Sequence, residues 1–419
     1  MPILSFWKAY HLLAELPRAA APEVIPLTMA LSRRAAQNLV VPHPLPEKPR
    51  AAMDGYVLRS KDVPQGDWRS KVFSIDGSIS VGEHPGSELL EGTCRRVVTG
   101  AFLPPGGDAV VPQEAVELLP EGLRLKKKVE PWENVMLPGE EALPGRDLLR
   151  LGQTLSARDL LVLASFGVKE VTVYRPLEVA VAITGSELSG PGEEKGPFEI
   201  RESTSFFLTA ELSRLGLKIQ ALRRVRDDPA SLAQTFHELL AGKPQVFITT
   251  GGVSVGPRDW VPHVWRELGA EILIEKVHMK PGKAFMAGRL GETWIFGLSG
   301  NPPAALVSFY ALVKPALLRL SGGAPSPWRW GLLGEDVKKP PNRPRFLWSR
   351  AEGGIFYPLQ DHPTLEALQR ADHLILLEPR DRPYRKGDPL QAIPLEDLGH
   401  GLAGQGVTKV VEGAGARGP

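Results

Sequence analysis

Between Leu177 and Ser321 short apolar runs alternate with helix-period segments, and this alternation limits the possible folds more than any other property of the chain. LEVAVAI reads as a strand, STSFFLTAELSRLG as a helix, LKIQALRRV as a strand, DPASLAQTFHELLAG as a helix, QVFITT as a strand and DWVPHVWRELG as a helix. EILIEKV, the hairpin AFMAGRLGETWIFGL and the helix PPAALVSFYALVKPALLRL complete the series. Repeated βαβ units imply a largely parallel sheet covered on both faces, which binds its ligands beyond the carboxyl ends of the strands. At the centre of the series lies PQVFITTGGVSVGPRDW, Pro244 to Trp260, in which a buried strand runs into Gly251, Gly252 and Gly256 before Asp259 opens a helix-like segment. Glycines there let backbone N–H groups approach a ligand, and a helix start favours negative charge, so the stretch is suited to an anion. A tight βα turn with no ligand is the competing reading.

The flanking segments have other textures. HLLAEL, His11 to Leu16, and MALSRRAAQNLV, Met29 to Val40, have helical spacing and end at prolines. From Tyr56 to Val129 short alternating runs such as GYVLR, KVFSID, RRVVTG and DAVVPQE predict a β-rich domain. Helical spacing returns at SARDLLVLASFG, with Ser156 as the N-cap and Gly167 as the stop, so the first and third segments are expected to pack together around a β-rich insert. After the linker SGGAPSPWRWG, the runs RPRFLWSRA, GGIFYPL and DHLILLEP predict a small barrel or sandwich. The expected architecture is α/β and multidomain. An elongated, partly helical N-terminal domain spans 1–45 and 130–176, an inserted β-rich domain 46–129, an α/β sandwich 177–322, a C-terminal β-barrel 331–397 and a tail 398–419.

Bulk properties exclude several classes. A formal net charge of +2 argues against a general nucleic-acid or acidic-membrane binder. A single cysteine, Cys94, rules out an intrachain disulfide and a cysteine metal cluster and suits a reducing cytoplasm; its simplest role is as a small buried hydrophobe. The amino-terminal stretch lacks a secretory pattern, and no later run is expected to reach the length of a membrane span, so a protein that is neither exported nor inserted is expected. The nine histidines show no HxH or HExxH spacing, and neither a GxSxG elbow nor a GxxxxGK[ST] loop occurs.

Three sets of residues in the α/β region point to one crevice. A second strand-to-helix loop, WIFGLSGNPPAAL, brings Gly300, Asn301 and Pro302 to a helix start and adds backbone donors to those of the first loop. EKVHMKPGK supplies Lys276, Lys280 and Lys283; the even separation of Lys276 and Lys280 puts both on one face of an extended strand, where they can neutralise an oxyanion, against the plain alternative of a solvated edge strand. Glu187, Asp227 and Asp259 follow predicted strands, and carboxylates converging beside an anion site are how magnesium is held against phosphate oxygens. Helix capping is the competing role and the better one for Asp228, which precedes Pro229.

The blocks PEKPRAAMDGYVLRSKD, VVTGAFLPPGGDAVVPQE, AITGSEL, TTGGVSVGPRD, VHMKPGKAF and GLSGNPPAALVSFY, in this order, resemble the molybdopterin molybdenumtransferases, the family that includes the E domain of gephyrin. The resemblance runs from about Met29 to Ile393. It implies a four-part, elongated homodimer that inserts molybdate into adenylylated molybdopterin and releases AMP with the help of Mg2+ or another divalent cation, with other cofactor-assembly proteins as further partners. By motif, Asp54 and Thr99 would be contributed across the dimer interface, and Glu187, Asp227, Asp259, Lys276 and Lys280 would act from the α/β domain. Gly251, Gly252, Ser254, Gly256, Ser299, Gly300, Asn301 and Pro302 would line the loops.

The chain also departs from the pattern the resemblance implies. Ser186 stands in TGSEL where the family has an acid, Glu141 where an aspartate is usual, Ser299 in place of a proline and Thr204 in place of an asparagine. The Gln-Gly-Ser stretch of the C-terminal domain is replaced by YPLQDHPTL. Two other functions compete with molybdate insertion: a molybdopterin adenylyltransferase, whose relatives lack MDGY and the β-rich insert, and a divergent dimeric scaffold.

Overall fold

The structure, a computed structural model, describes residues 3–254, 259–325, 328–337, 341–360 and 364–395. Contacts gather the chain into two compact units, residues 1–36, 152–155 and 172–419 in one and residues 37–151 and 156–171 in the other.

The larger unit is built on a seven-stranded sheet in the order Leu4–Ser5, Glu271–His278, Ala284–Leu290, Thr293–Leu298, Val246–Thr250, Glu178–Thr184, Lys218–Val225. All strands run in one direction except Ala284–Leu290, which forms the predicted hairpin with Thr293–Leu298. Period-two alternation sends Val179, Val181 and Ile183 into one apolar layer with residues of helices Phe6–Ala14, Thr204–Arg214 and Pro302–Ser308. Ala180 and Ala182 join the opposite layer, with residues of helices Pro229–Leu240 and Val261–Glu267. There Phe236 stacks on Trp265 with centroids 4.6 Å apart, a contact contributing about 1 kcal/mol beyond area burial. Both faces are thus covered, as the alternation predicts.

Local chemistry sets the helix starts. Asp228 accepts from Ser231 N at 2.8 Å, so capping is its role, and Pro229 occupies the first turn. Helix Thr204–Arg214 lacks a cap from Ser203; instead buried Glu202 accepts the Ser205 N–H and hydroxyl. One run does reach the length of a membrane span, contrary to expectation: Pro302–Leu320 is a continuous helical run of 19 residues, long and apolar enough on composition to cross a membrane, because two prolines at its start and a third at 315 do not interrupt it, yet 89% of its most apolar stretch is buried in the fold. It is the core helix of the larger unit. A closed barrel of strands Arg329–Leu333, Ile355–Pro358, Arg345–Glu352, His373–Leu377 and Pro389–Pro394 completes that unit.

The smaller unit carries a six-stranded sheet ordered Ala109–Pro112, Gly55–Leu58, Thr93–Val97, Val72–Ile79, Gly122–Leu125, Val116–Leu119, the β-rich texture expected there. Helix Ala157–Ser165 starts at Ser156 in a reciprocal capping box with Asp159, and Gly167 follows at φ 72°.

Two helical expectations change. The opening helix spans Phe6–Ala14, not His11 to Leu16, because Ser5 caps it and Leu4–Ser5 joins the sheet edge. Met29 to Val40 is not helical beyond the 3-10 turn Leu27–Met29. Its amides bond across the chain instead: Ser32 N to Leu155 O, Ala35 N to Gln153 O and Ala36 N to Thr172 O, while Leu39–Val40 pairs with Asp147–Leu149. Non-local pairing therefore outweighs helical spacing in this segment. The same bonds join the first and third segments of the chain on either side of the β-rich stretch.

Candidate active site

Register brings the motifs to one level. Thr184 pairs with Val225, Ile183 with Thr250 and Thr250 with Leu298, so four neighbouring parallel strands finish together. Directly beyond them come Glu187, Asp227, Gly251 and Ser299. On the far side, Lys276 pairs with Ala284 and Phe285 with Leu298, which puts Lys276 at the same edge. At about 4.8 Å per strand, the edge from Val225 to Lys276 spans five strand spacings, about 24 Å.

The two glycine loops touch. A Cβ added at Gly300 would stand 3.3 Å from Gly251 Cα, and one at Gly251, whose φ is 85°, would meet Thr184 Oγ1 at 2.5 Å and Thr184 O at 2.6 Å. Gly251 N donates to Leu298 O at 2.9 Å and Asn301 N to Ser299 Oγ at 3.3 Å. Two of the anticipated donors are therefore committed internally, leaving the N–H groups of Gly252 and Gly300, which bond to no other described residue. Asn301 caps the helix at Pro302, accepting from Ala304 N at 3.2 Å. Ser254 is exposed beside the first loop, and Gly256 lies outside the described residues.

Two of the predicted acids act on the third, Asp227. Burial raises the pKa of Asp227 above the ordinary carboxylate value, the Glu187 and Asp259 charges raise it further, and the Thr184 hydroxyl and Ser186 amide act in the opposite direction. Asp227 Oδ1 is shielded from solvent and lacks a partner of ordinary hydrogen-bond geometry. Asp259 does not cap the following helix, which begins at Val261 with Trp260 as its cap residue. Among the described residues no group of three or more His, Cys, Asp or Glu stands in a constellation that could hold a metal ion. The acids nevertheless fit a divalent cation in charge and donor type: Asp227 has an orphaned oxygen, and exposed Glu187 is free to turn toward it.

Lys276 and Lys280 do not lie on one strand. Strand Glu271–His278 ends before Lys280, whose N donates to Pro344 O at 2.8 Å and whose O accepts from Phe346 N at 2.8 Å. Lys280 is pinned to the barrel strand Arg345–Glu352, so the shared face inferred from even spacing does not exist. Lys276, Lys280 and Lys283 nevertheless form no ion pair with any described residue.

In the smaller unit Asp54 and Thr99 do form a pair. Gly55 and Val97 are register partners, and Thr99 gives both its N–H and its hydroxyl to Asp54 Oδ1, each at 2.8 Å. The Thr99 amide and hydroxyl lower the pKa of Asp54, with Arg96 assisting.

Residues 4–167 match the family model described as MoeA N-terminal region (domain I and II), and residues 180–319 the one described as probable molybdopterin binding domain. A molybdopterin molybdenumtransferase of Haemophilus influenzae is 34% identical over 314 residues, covering 74% of this chain and 76% of its own length. Another from Synechococcus elongatus is 32% identical over 405 residues, covering 93% and 99%. The chain belongs to the molybdopterin molybdenumtransferase family. Its fold agrees: the crystal structure of a molybdopterin biosynthesis MoeA protein from Pyrococcus horikoshii superposes with TM-score 0.79 at 27% identity, covering 94% of this chain and 100% of that one.

Within this family the departures acquire roles. Ser186 Oγ accepts from Asp227 N at 3.2 Å, so it tethers the turn that carries Asp227. Ser299 Oγ holds Asn301 N, a side-chain bond where a proline would stiffen the loop by fixing φ. Thr204 is the buried first residue of its helix. Glu141 lines a 370 Å³ surface hollow with Val41, Leu143, Val162 and Phe166. Of YPLQDHPTL, Asp361, His362 and Pro363 lie outside the described residues. Sequence reasoning missed Thr184, the last residue of its strand. A hydroxyl closing an otherwise apolar run was the available signal.

Proposed function

We propose that this chain inserts molybdate into adenylylated molybdopterin and releases AMP, as a cytoplasmic homodimer in molybdenum cofactor biosynthesis. The observation that supports this reading best is the level register of four strand ends, with touching glycine loops at the middle, a carboxylate that feels two others at one end and an unpaired lysine edge at the other. An elongated substrate with several anionic groups suits an edge about 24 Å long.

In this reading the Gly252 and Gly300 amides hold phosphate oxygens, and Lys276 and Lys280 neutralise molybdate and the pterin phosphate. Ser254, Ser299, Asn301 and Pro302 shape the loops. Glu187, Asp227 and Asp259 would hold Mg2+, which when bound neutralises charge on the phosphoanhydride. Asp54 and Thr99 reach the site from a second copy of the chain, and because both Thr99 bonds go to Asp54 Oδ1, its Oδ2 is left for the ligand.

The test is product formation by purified protein given adenylylated molybdopterin, molybdate and Mg2+. AMP release dependent on molybdate is expected. Pyrophosphate release from ATP and molybdopterin would show an adenylyltransferase instead, and neither product would leave a scaffold.

A further inference from the structure

Thr184 is where three turns of the larger unit meet. It ends strand Glu178–Thr184, is 4% exposed, and pairs in register with Val225, two residues before Asp227. From the other side the first glycine loop presses on it: added Cβ atoms at Gly251 and Gly252 would lie 2.5 Å and 3.4 Å from its Oγ1. No larger residue fits at 251 while that hydroxyl is in place. The Gly185 N–H donates to Val225 O at 3.2 Å and Asp227 N to Ser186 Oγ at 3.2 Å, so the turns after the two strands are stitched together around Thr184.

Two polar atoms in this knot are buried without a partner of ordinary geometry, Thr184 Oγ1 and Asp227 Oδ1. A buried donor or acceptor left without a partner is destabilising, so two at one spot are not neutral packing. They are also complementary: a hydroxyl donates, and an ionised carboxylate only accepts. The hydroxyl is close enough to act on the Asp227 carboxyl, so each atom is the natural partner of the other. The turn restrains Asp227 through its N–H, so the remaining freedom is the rotation of its carboxylate.

We propose that Thr184 is a positioning residue whose hydroxyl donates to Asp227 Oδ1, turning Oδ2 toward a divalent cation and tying that carboxylate to the glycine loop. This rests on the reading that Asp227 is a cation ligand. Thr184 touches neither cation nor substrate; it fixes the direction of a ligand, as outer-shell partners of metal ligands do. Because Thr184 also abuts Gly251, a change in the carboxylate's direction and a change in the loop's seat are linked through one side chain.

The experiment measures Mn2+ binding to the full chain by electron paramagnetic resonance, in wild type, Thr184→Val, Thr184→Ala and Thr184→Ser, alongside thermal unfolding. Valine keeps the shape and removes the donor; alanine removes it without the second methyl, which covers the case in which valine fails to fold. Serine restores the hydroxyl. Mn2+ affinity is expected to fall about 10-fold in the valine and alanine variants and to return to within about 2-fold in the serine variant. In steady-state assays the loss should appear as a raised requirement for the cation, with the pterin nucleotide KM little changed. Equal Mn2+ affinity in wild type and a folded hydroxyl-free variant overturns the proposal while leaving the cation site standing. Failure of the wild type to bind Mn2+ overturns both.

Discussion

Gly300 lies against Gly251, the Cβ that an alanine would add standing 3.3 Å from the Gly251 Cα. The two loops that end neighbouring strands are thus in contact through glycines: a side chain at 300 must push on the loop at 251, and one at 251 must push on Thr184.

Gly300→Ala should therefore displace the loops by a few tenths of an ångström rather than unfold the protein. Turnover is expected to fall about 10-fold, since misplacing groups by as much as 1 Å costs about 100-fold. Gly251→Ala is the harsher change, because the residue has φ 85° and its Cβ would overlap Thr184. A loss of about 2–4 kcal/mol is expected in denaturant unfolding.

Thr99→Val removes one of the two bonds to Asp54 Oδ1 and leaves the backbone one. Asp54 has a lowered pKa in the folded state, so its contribution to stability is present above the ordinary carboxylate pKa and lost as pH falls through the folded value. Carboxyl-resolved NMR titration should show Asp54 moving up toward its ordinary value in the variant. No movement would mean the hydroxyl bond contributes nothing in solution.

Asp54→Ala and Asp259→Ala should each abolish AMP release with the fold intact by circular dichroism. If two copies build each site, mixed dimers of the two variants contain one site with both aspartates and should recover about a quarter of wild-type turnover, given random assortment and two sites per dimer. Absence of recovery counts against a shared site.

Cys94 is fully buried, and burial pushes its thiol pKa up to about 12, with the Asp76 charge adding to the effect. A thiol of that pKa is almost wholly protonated at pH 8, and the thiolate is the nucleophile. A disulfide reagent should leave the native protein unmodified and react with one equivalent once guanidinium unfolds it. Reaction in the folded state would show that the sheet of the smaller unit opens locally.

What was legible in the chain was written in short-range signals. The apolar runs before Gly251 and Ser299 marked strands, the glycines marked turns, and Asp228 with Pro229 and Ser156 with Asp159 marked helix starts. Each depends on residues within a turn or two of one another, so sequence alone determined the alternation, the loops and which carboxylates follow strands.

The tertiary structure decided the rest, because the partners are distant in sequence. Met29 to Val40 had helical spacing, but its amides bond to Gln153, Leu155 and Thr172. Lys280 has the even spacing of a strand residue, but Pro344 and Phe346 capture its backbone. Thr184 gains meaning only when parallel register sets it beside Val225 and the loop at Gly251 closes over its hydroxyl. Periodicity encodes which face a residue prefers; which chain segment meets that face depends on the free energy of the whole packed arrangement, which no window of sequence contains.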